Sequence, residues 1–225
     1  WDDLAPMLAA QYRVIRYDHR GTGQSDKPTS PPYTTELFAT DAIAVLDALG
    51  IARAHAFGFS MGGRICQRLG IDHASRLGSL VLAATTAGKS GGVHRHPRVT
   101  ALLQSGNVDA LDLLFYSQEH LDRGGRVFRV GDATVASRRL HYMASEQHDV
   151  WSLLGAIDRP TLVIHGALDE VTPPENASAL AAAIPGAEVT ILPGARHGFV
   201  AEFPAELHRI VTDFLGRHPL ERTTP

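Results

Sequence analysis

Gly58-Phe59-Ser60-Met61-Gly62, followed by Gly63, is the stretch on which the reading of this chain turns. It matches Gly-x-Ser-x-Gly and stands between a short apolar run, Ala54-His55-Ala56-Phe57-Gly58, and a stretch of helical character from Met61 to about Leu69. A serine that presents its hydroxyl above a sheet edge must occupy a tight, strained turn, and its neighbours must be small for strand and helix to approach. Glycine at 58 and 62 is read as meeting that demand. The first N–H groups of the following helix point at the turn, which places the Met61 backbone N–H to stabilise an oxyanion. Taken alone, the pentapeptide also suits a serine in a glycine-rich turn or helix cap, because short motifs often match by accident.

A serine hydroxyl is a poor nucleophile until a base takes its proton, and the base needs a carboxylate to fix its tautomer and stabilise its charged form. A carboxylate and a histidine are therefore sought on other strand-to-loop exits of the same sheet edge. Thr161-Leu162-Val163-Ile164-His165 reads as a strand and runs into Gly166-Ala167-Leu168-Asp169-Glu170-Val171-Thr172-Pro173. Glu188-Val189-Thr190-Ile191-Leu192 reads as another and runs into Pro193-Gly194-Ala195-Arg196-His197-Gly198-Phe199. Both places are thus filled, by Asp169 or its neighbour Glu170 and by His197.

Outward from these loops the chain alternates short β-rich runs with helices. Tyr12-Arg13-Val14-Ile15-Arg16-Tyr17 reads as a strand that breaks at a glycine turn, and Leu80 to Ala84 as another. Phe38, Ala42, Val45, Leu46 and Leu49 share one helical face, with Thr34 or Thr35 as N-cap and Gly50 at the end. A helix is expected from Asn176 to Ile184, and Pro204 opens one whose Leu207, Ile210, Val211, Phe214 and Leu215 lie together. This alternation predicts an α/β fold with a mostly parallel sheet covered on both faces. From about Gly88 to Gly155 the alternation stops, and such a long insertion is more often a functional lid than a structureless loop. Arg217 to Pro225 reads as a frayed tail.

Composition limits the partners. Across 225 residues, 44% hydrophobic and 20% charged, the chain can bury a core, and one domain is expected. A formal net charge of -3 leaves no positive excess for phosphate backbones or anionic lipid, so nucleic acid and membrane are not expected partners. No apolar run approaches the roughly 20 residues of a membrane span. The single cysteine, Cys66, has no partner for an intramolecular disulfide and reads as a small buried residue on the helix after Ser60. A cytoplasmic address is expected.

The other histidines are read structurally: His19, His55 and His165 as hydrogen-bonded groups at strand ends or turns, and His94, His96, His120, His141 and His148 as part of the insertion. His94 and His96 lack a neighbouring cysteine or carboxylate to complete a ligand set, so no metal is expected. Arg123, Arg126, Arg129, Arg138 and Arg139 could face an anionic substrate. The acids among them, Asp122, Asp132, Glu146 and Asp149, favour a solvated charged face.

With these motifs in order, and with Tyr17-Asp18-His19-Arg20-Gly21-Thr22-Gly23-Gln24-Ser25 resembling the turn after the family's fourth strand, the chain resembles the α/β-hydrolase family over nearly its whole length. It is most similar to the small lidded serine esterases and lactonases. The resemblance implies Ser60 as nucleophile, His197 as base and Asp169, in preference to Glu170, as acid. Leu82-Ala83-Ala84-Thr85-Thr86, where some relatives carry the acid, has no carboxylate. It implies an α/β-hydrolase core at residues 1–87 and 156–225, a helical lid (cap) at 88–155 inserted after the sixth strand, a small-molecule substrate and no cofactor. Hydrolysis of a carboxylic ester or lactone through an acyl-enzyme is the activity expected. Alternatives are the same triad acting on a carbon–carbon bond, a thioester or an amide, a cofactor-free perhydrolase, or a slow-turnover ligand receptor.

One part of the family pattern is absent from the sequence. The resemblance places a second oxyanion donor in the loop after the third strand, and that loop would lie upstream of Trp1. The third strand would sit between the fourth and fifth, so unpaired edges are expected without it. The expectation is therefore that the chain is a piece of a longer protein.

Overall fold

Four apolar runs become four parallel strands: β1 (Ala54–Phe59), β2 (Leu77–Ala83), β3 (Thr161–Gly166) and β4 (Glu188–Leu192), hydrogen-bonded in that order. The structure is a computed structural model and describes the chain except for residues 31, 32, 106, 126, 128–131 and 221–225. Register is fixed by pairs such as Phe59 with Ala83, Ala83 with Ile164 and Gly166 with Leu192. Because the strands are parallel, all four release the chain at the same carboxyl edge, where α/β sheets place their sites.

Alternation along the central strands divides the interior into two cores. Leu80, Leu82 and Val163 face one, with Phe38, Ile65, Leu69 and Leu180 from the helices α2 (Thr35–Ala48), α3 (Met61–Asp72) and α8 (Glu175–Ala183). Val81, Ala83, Leu162 and Ile164 face the other, with Leu4 and Leu8 of α1 (Leu4–Ala9), Phe199 of α9 (Phe199–Glu202) and Leu207, Val211 and Phe214 of α10 (Pro204–Arg217). Helices thus cover both faces, and α/β is the fold class. Local signals set the helix ends: the Thr34 hydroxyl accepts the Leu37 N–H at 3.0 Å as N-cap of α2, and Pro204 opens α10. Cys66 is buried on α3, and burial pushes its thiol up to about 12.

Two expectations need correction. Tyr12–Tyr17 is not a strand: residues 13–19 have no regular structure, and β1 pairs only with β2 among the described residues. A strand exists through its ladder, whereas the β-propensity of this run reports a surface that packs; Tyr12 and Val14 lie against the second core. Arg217 is not part of a tail, because it ends α10 and forms a two-pronged ion pair with Glu188 at 2.7 and 2.8 Å.

Between β2 and β3 the chain forms the helices α4 (Pro97–Ser105), α5 (Val108–Phe115), α6 (Gln118–Asp122) and α7 (Val135–Gln147). It leaves and returns at one point, where the Val150 N–H reaches the Ala87 carbonyl at 2.8 Å. Arg123 pairs with Glu119 within α6 and Arg138 caps the Ala133 carbonyl, while Arg126 and Arg129 fall outside the described residues. No helix among the described residues is long and apolar enough to cross a membrane.

A buried polar chain ties the end of this insertion to the sheet layer. His148 Nε2 donates to the Gln67 side-chain oxygen at 3.1 Å, which leaves Nδ1 to accept the Thr35 hydroxyl at 2.8 Å. Burial, reinforced by Arg64 and Arg68, pushes the His148 ring down to about 3. The unfolded chain takes up this proton near pH 6.5, whereas the folded chain refuses it down to about pH 3. His148 therefore favours the folded state fully above about pH 6.5, and that contribution drains away as the pH falls toward 3. Burial also holds His19 and His165 near 4, so they act in the same sense. Melting temperatures should fall from about pH 7 to about pH 4.5, and His148→Gln should flatten part of that slope. A gap between variant and wild type that stays constant with pH would contradict this account.

Candidate active site

Ser60 lies between the end of β1 and the first turn of α3 with φ 54° and ψ -115°, a region that side-chain-bearing residues rarely occupy. Three hydrogen bonds hold the bend. The Ser60 N–H donates to the Ala83 carbonyl at 2.8 Å, and its carbonyl accepts the Gly63 N–H at 3.0 Å and the Thr85 hydroxyl at 2.8 Å. Close approach explains two glycines. A β-carbon on Gly58 would overlap the Gly62 carbonyl, and one on Gly63 would stand 2.6 Å from the Thr85 side chain. The expectation for Gly62 is corrected: a β-carbon there meets nothing within 4 Å, and the constraint falls on Gly63. Met61 opens α3, and among the described residues its backbone N–H has no acceptor.

The three sequence-predicted side chains meet at the sheet edge. His197 Nε2 accepts the Ser60 hydroxyl at 3.1 Å, and His197 Nδ1–H donates to Asp169 Oδ2 at 2.8 Å. The other Asp169 oxygen accepts the N–H groups of Val171 and Thr172, both at 2.8 Å. The carboxylate is therefore held from two sides, with Asp169 2% and His197 1% exposed. The loops bearing them are joined: the Ala167 N–H donates to the Leu192 carbonyl and the Leu168 N–H to the Ala195 carbonyl, each at 2.9 Å. Glu170 points elsewhere, into ion pairs with Arg98 and, at 3.8 Å, Arg196.

Neighbouring groups set the polarity. The rings of Phe59 and Phe115 lie 5.1 and 4.8 Å from that of His197. His165, fully buried beneath the site, is kept neutral by burial against the pull of nearby Asp169, and its Nε2 accepts the Thr85 N–H at 3.4 Å. Of the other histidines expected at strand ends or turns, His55 Nδ1 bonds the Ser79 hydroxyl at 2.7 Å, whereas the buried His19 Nδ1 has no partner among the described residues. His19 packs instead against Tyr17 and Phe38. Thr85 and Phe115 carry no sequence signal for their places here, since neither belongs to a motif. Among the described residues no three of His, Cys, Asp and Glu converge as metal ligands.

Known proteins agree with this architecture. The profile of the alpha/beta hydrolase fold family matches residues 1–118, and that of a family described as TAP-like protein matches 132–223. A 2-hydroxy-6-oxononadienedioate/2-hydroxy-6-oxononatrienedioate hydrolase of Cupriavidus pinatubonensis is 31% identical over 95% of this chain and 80% of its own length. RutD of Caulobacter sp. (strain K31), named as a candidate carbamate hydrolase, is 29% identical over 96% of this chain and 85% of its own. The crystal structure of an enol-lactonase from Burkholderia xenovorans LB400 superposes with a TM-score of 0.75 at 28% identity, over 96% of this chain and 85% of that one. The chain belongs to the α/β-hydrolase family.

Proposed function

We propose that this protein is a serine hydrolase that cleaves a carboxylic ester or lactone of a small molecule through an acyl-enzyme. The observation that carries the reading is the continuous hydrogen-bonded line from the Ser60 hydroxyl through His197 to Asp169, on a strained turn beside the unengaged Met61 N–H. Ser60 Oγ attacks the carbonyl carbon while His197 Nε2 takes its proton, and the negative charge that grows on the carbonyl oxygen is met by the Met61 N–H. As the tetrahedral intermediate collapses, His197 returns the proton to the leaving oxygen. Water, deprotonated by the same nitrogen, then releases the acid and restores Ser60. Asp169 keeps the Nδ1–H tautomer and stabilises the imidazolium, and its two backbone N–H bonds keep it aimed at His197.

The insertion at 88–155 serves in this reading as a cap over the site, with Phe115 reaching His197 from above. A second reading draws on the relatives' names, one a candidate carbamate hydrolase and another a hydrolase of a dienedioate. The same three residues suit attack on a carbamate carbonyl or on the keto carbonyl of such a dienedioate, and the leaving group alone differs. A panel of esters, lactones and carbamates, compared by kcat/KM, separates the two.

Wild-type protein should be labelled by a fluorophosphonate at Ser60 and should turn over short activated esters, whereas Ser60→Ala should do neither while melting like the wild type. Labelling that persists in Ser60→Ala would refute the assignment. Asp169→Asn should keep the fold but lower kcat by about 10⁴-fold, because the amide favours the wrong imidazole tautomer. A loss under about tenfold would remove Asp169 from the role of acid.

A further inference from the structure

The imidazole of His197 is held in its plane by one bond at each nitrogen, to Asp169 at 2.8 Å and to Ser60 at 3.1 Å. The ring turns about its Cβ–Cγ bond, and hydrogen bonds of this kind tolerate a spread of angles, so what packs on the ring helps to set the tilt that aims Nε2. Phe59, on the turn of Ser60 itself, approaches at 45°. Phe115, from the end of α5 in the insertion, stands nearly perpendicular at 86° with centroids 4.8 Å apart, within the range of favourable edge-to-face contacts.

Phe115 is itself fastened to the loop that carries His197. Its carbonyl accepts the Gly198 N–H at 2.7 Å, and the Leu113 carbonyl accepts Arg196 Nη1 at 3.1 Å, so the residues on both sides of His197 are tied to this segment. Just beyond, the Ser117 N–H donates to one oxygen of Glu202 at 3.1 Å and the Ser117 hydroxyl donates to the other. Gly198 allows the approach, since a β-carbon there would overlap the Tyr116 ring, which is 1% exposed. A surface loop resting on its neighbour needs none of this. Four hydrogen bonds and the Phe115–His197 ring contact converge on the seven residues from Arg196 to Glu202.

We propose that residues 113–117 form a positioning strap for the catalytic base: Phe115 sets the tilt of the His197 ring, and the Ser117–Glu202 and Phe115–Gly198 bonds set Phe115. Phe115, Ser117 and Glu202 are positioning residues that act through His197, and the proposal rests on the reading of His197 as the base. Its consequence is that the insertion contributes to the rate of proton transfer as well as to the choice of substrate.

Glu202→Gln and Ser117→Ala weaken the fastening without touching His197 or Ser60, Phe115→Ala removes the ring, and Phe115→Leu restores apolar bulk. In the full chain, with folding checked by melting, the first three should lower kcat for a short activated ester by about 10- to 100-fold, the range expected for small misplacement of a reacting group. KM should stay within about a factor of two of wild type. The downfield proton resonance of His197 Nδ1–H should broaden or vanish in the same three variants and return in Phe115→Leu. Folded variants with kcat and resonance both unchanged would overturn the strap, as would a raised KM with the resonance intact, which would make Phe115 a substrate contact alone. The resonance is read without turnover, so a wild type that cleaves no ester would refute the proposed function while the spectra still decide whether the strap orders His197.

Discussion

The backbone at Ser60 is the constraint on which the other parts of the site depend. A non-glycine residue at φ 54° and ψ -115° carries strain that its surroundings must offset. Here β2 supplies the Ala83 carbonyl to the Ser60 N–H, α3 supplies the Gly63 N–H to the Ser60 carbonyl, and Thr85 holds that same Ser60 carbonyl from just beyond β2. Each support comes from an element that packs into one of the two cores, so the fold as a whole sustains the bend. The bend in turn presents the hydroxyl at the start of α3, where the first N–H groups, as at any helix N-terminus, have no acceptor within the helix.

Much of this was legible in the sequence because the signals are local. The Gly58-to-Gly62 pattern locates a strand-to-helix turn, and Asp169 and His197 each follow a short β-rich run closed by glycine. What was not legible depends on partners distant in sequence. Gly62 and Gly63 are indistinguishable as letters, and only the approach of Thr85 shows which one must lack a side chain. Tyr12–Tyr17 has strand-like composition because its residues pack on a core, and composition does not reveal whether a ladder partner is present. His148 reads as one histidine among several in an insertion, yet it is buried between Thr35 and Gln67. Phe115 and Glu202 belong to no motif, and their relation to His197 exists only once α5 has docked.

The insertion is attached in two physically different ways. At its base, His148 is fixed by neutral, water-free hydrogen bonds that are cooperative with the core and insensitive to salt. At its far side, Arg98 and Glu170 form an ion pair exposed to solvent, where salt screens the attraction. The contacts to the 196–202 loop lie between these extremes, part backbone and part carboxylate. The root of the insertion is thus held by buried contacts and its rim by a solvent-exposed ion pair.

Cys66 sits six residues beyond Ser60 on the same helix, buried, with its thiol pushed up to about 12. Thiols ordinarily outcompete hydroxyls for electrophiles by a wide margin. In this chain the order is inverted by architecture: the softer, intrinsically stronger nucleophile is sealed inside the protein and protonated, while the weaker one is displayed beside its base. With Ser60 as the proposed nucleophile, chemoselectivity is a property of the tertiary structure, and it lasts only as long as the fold does.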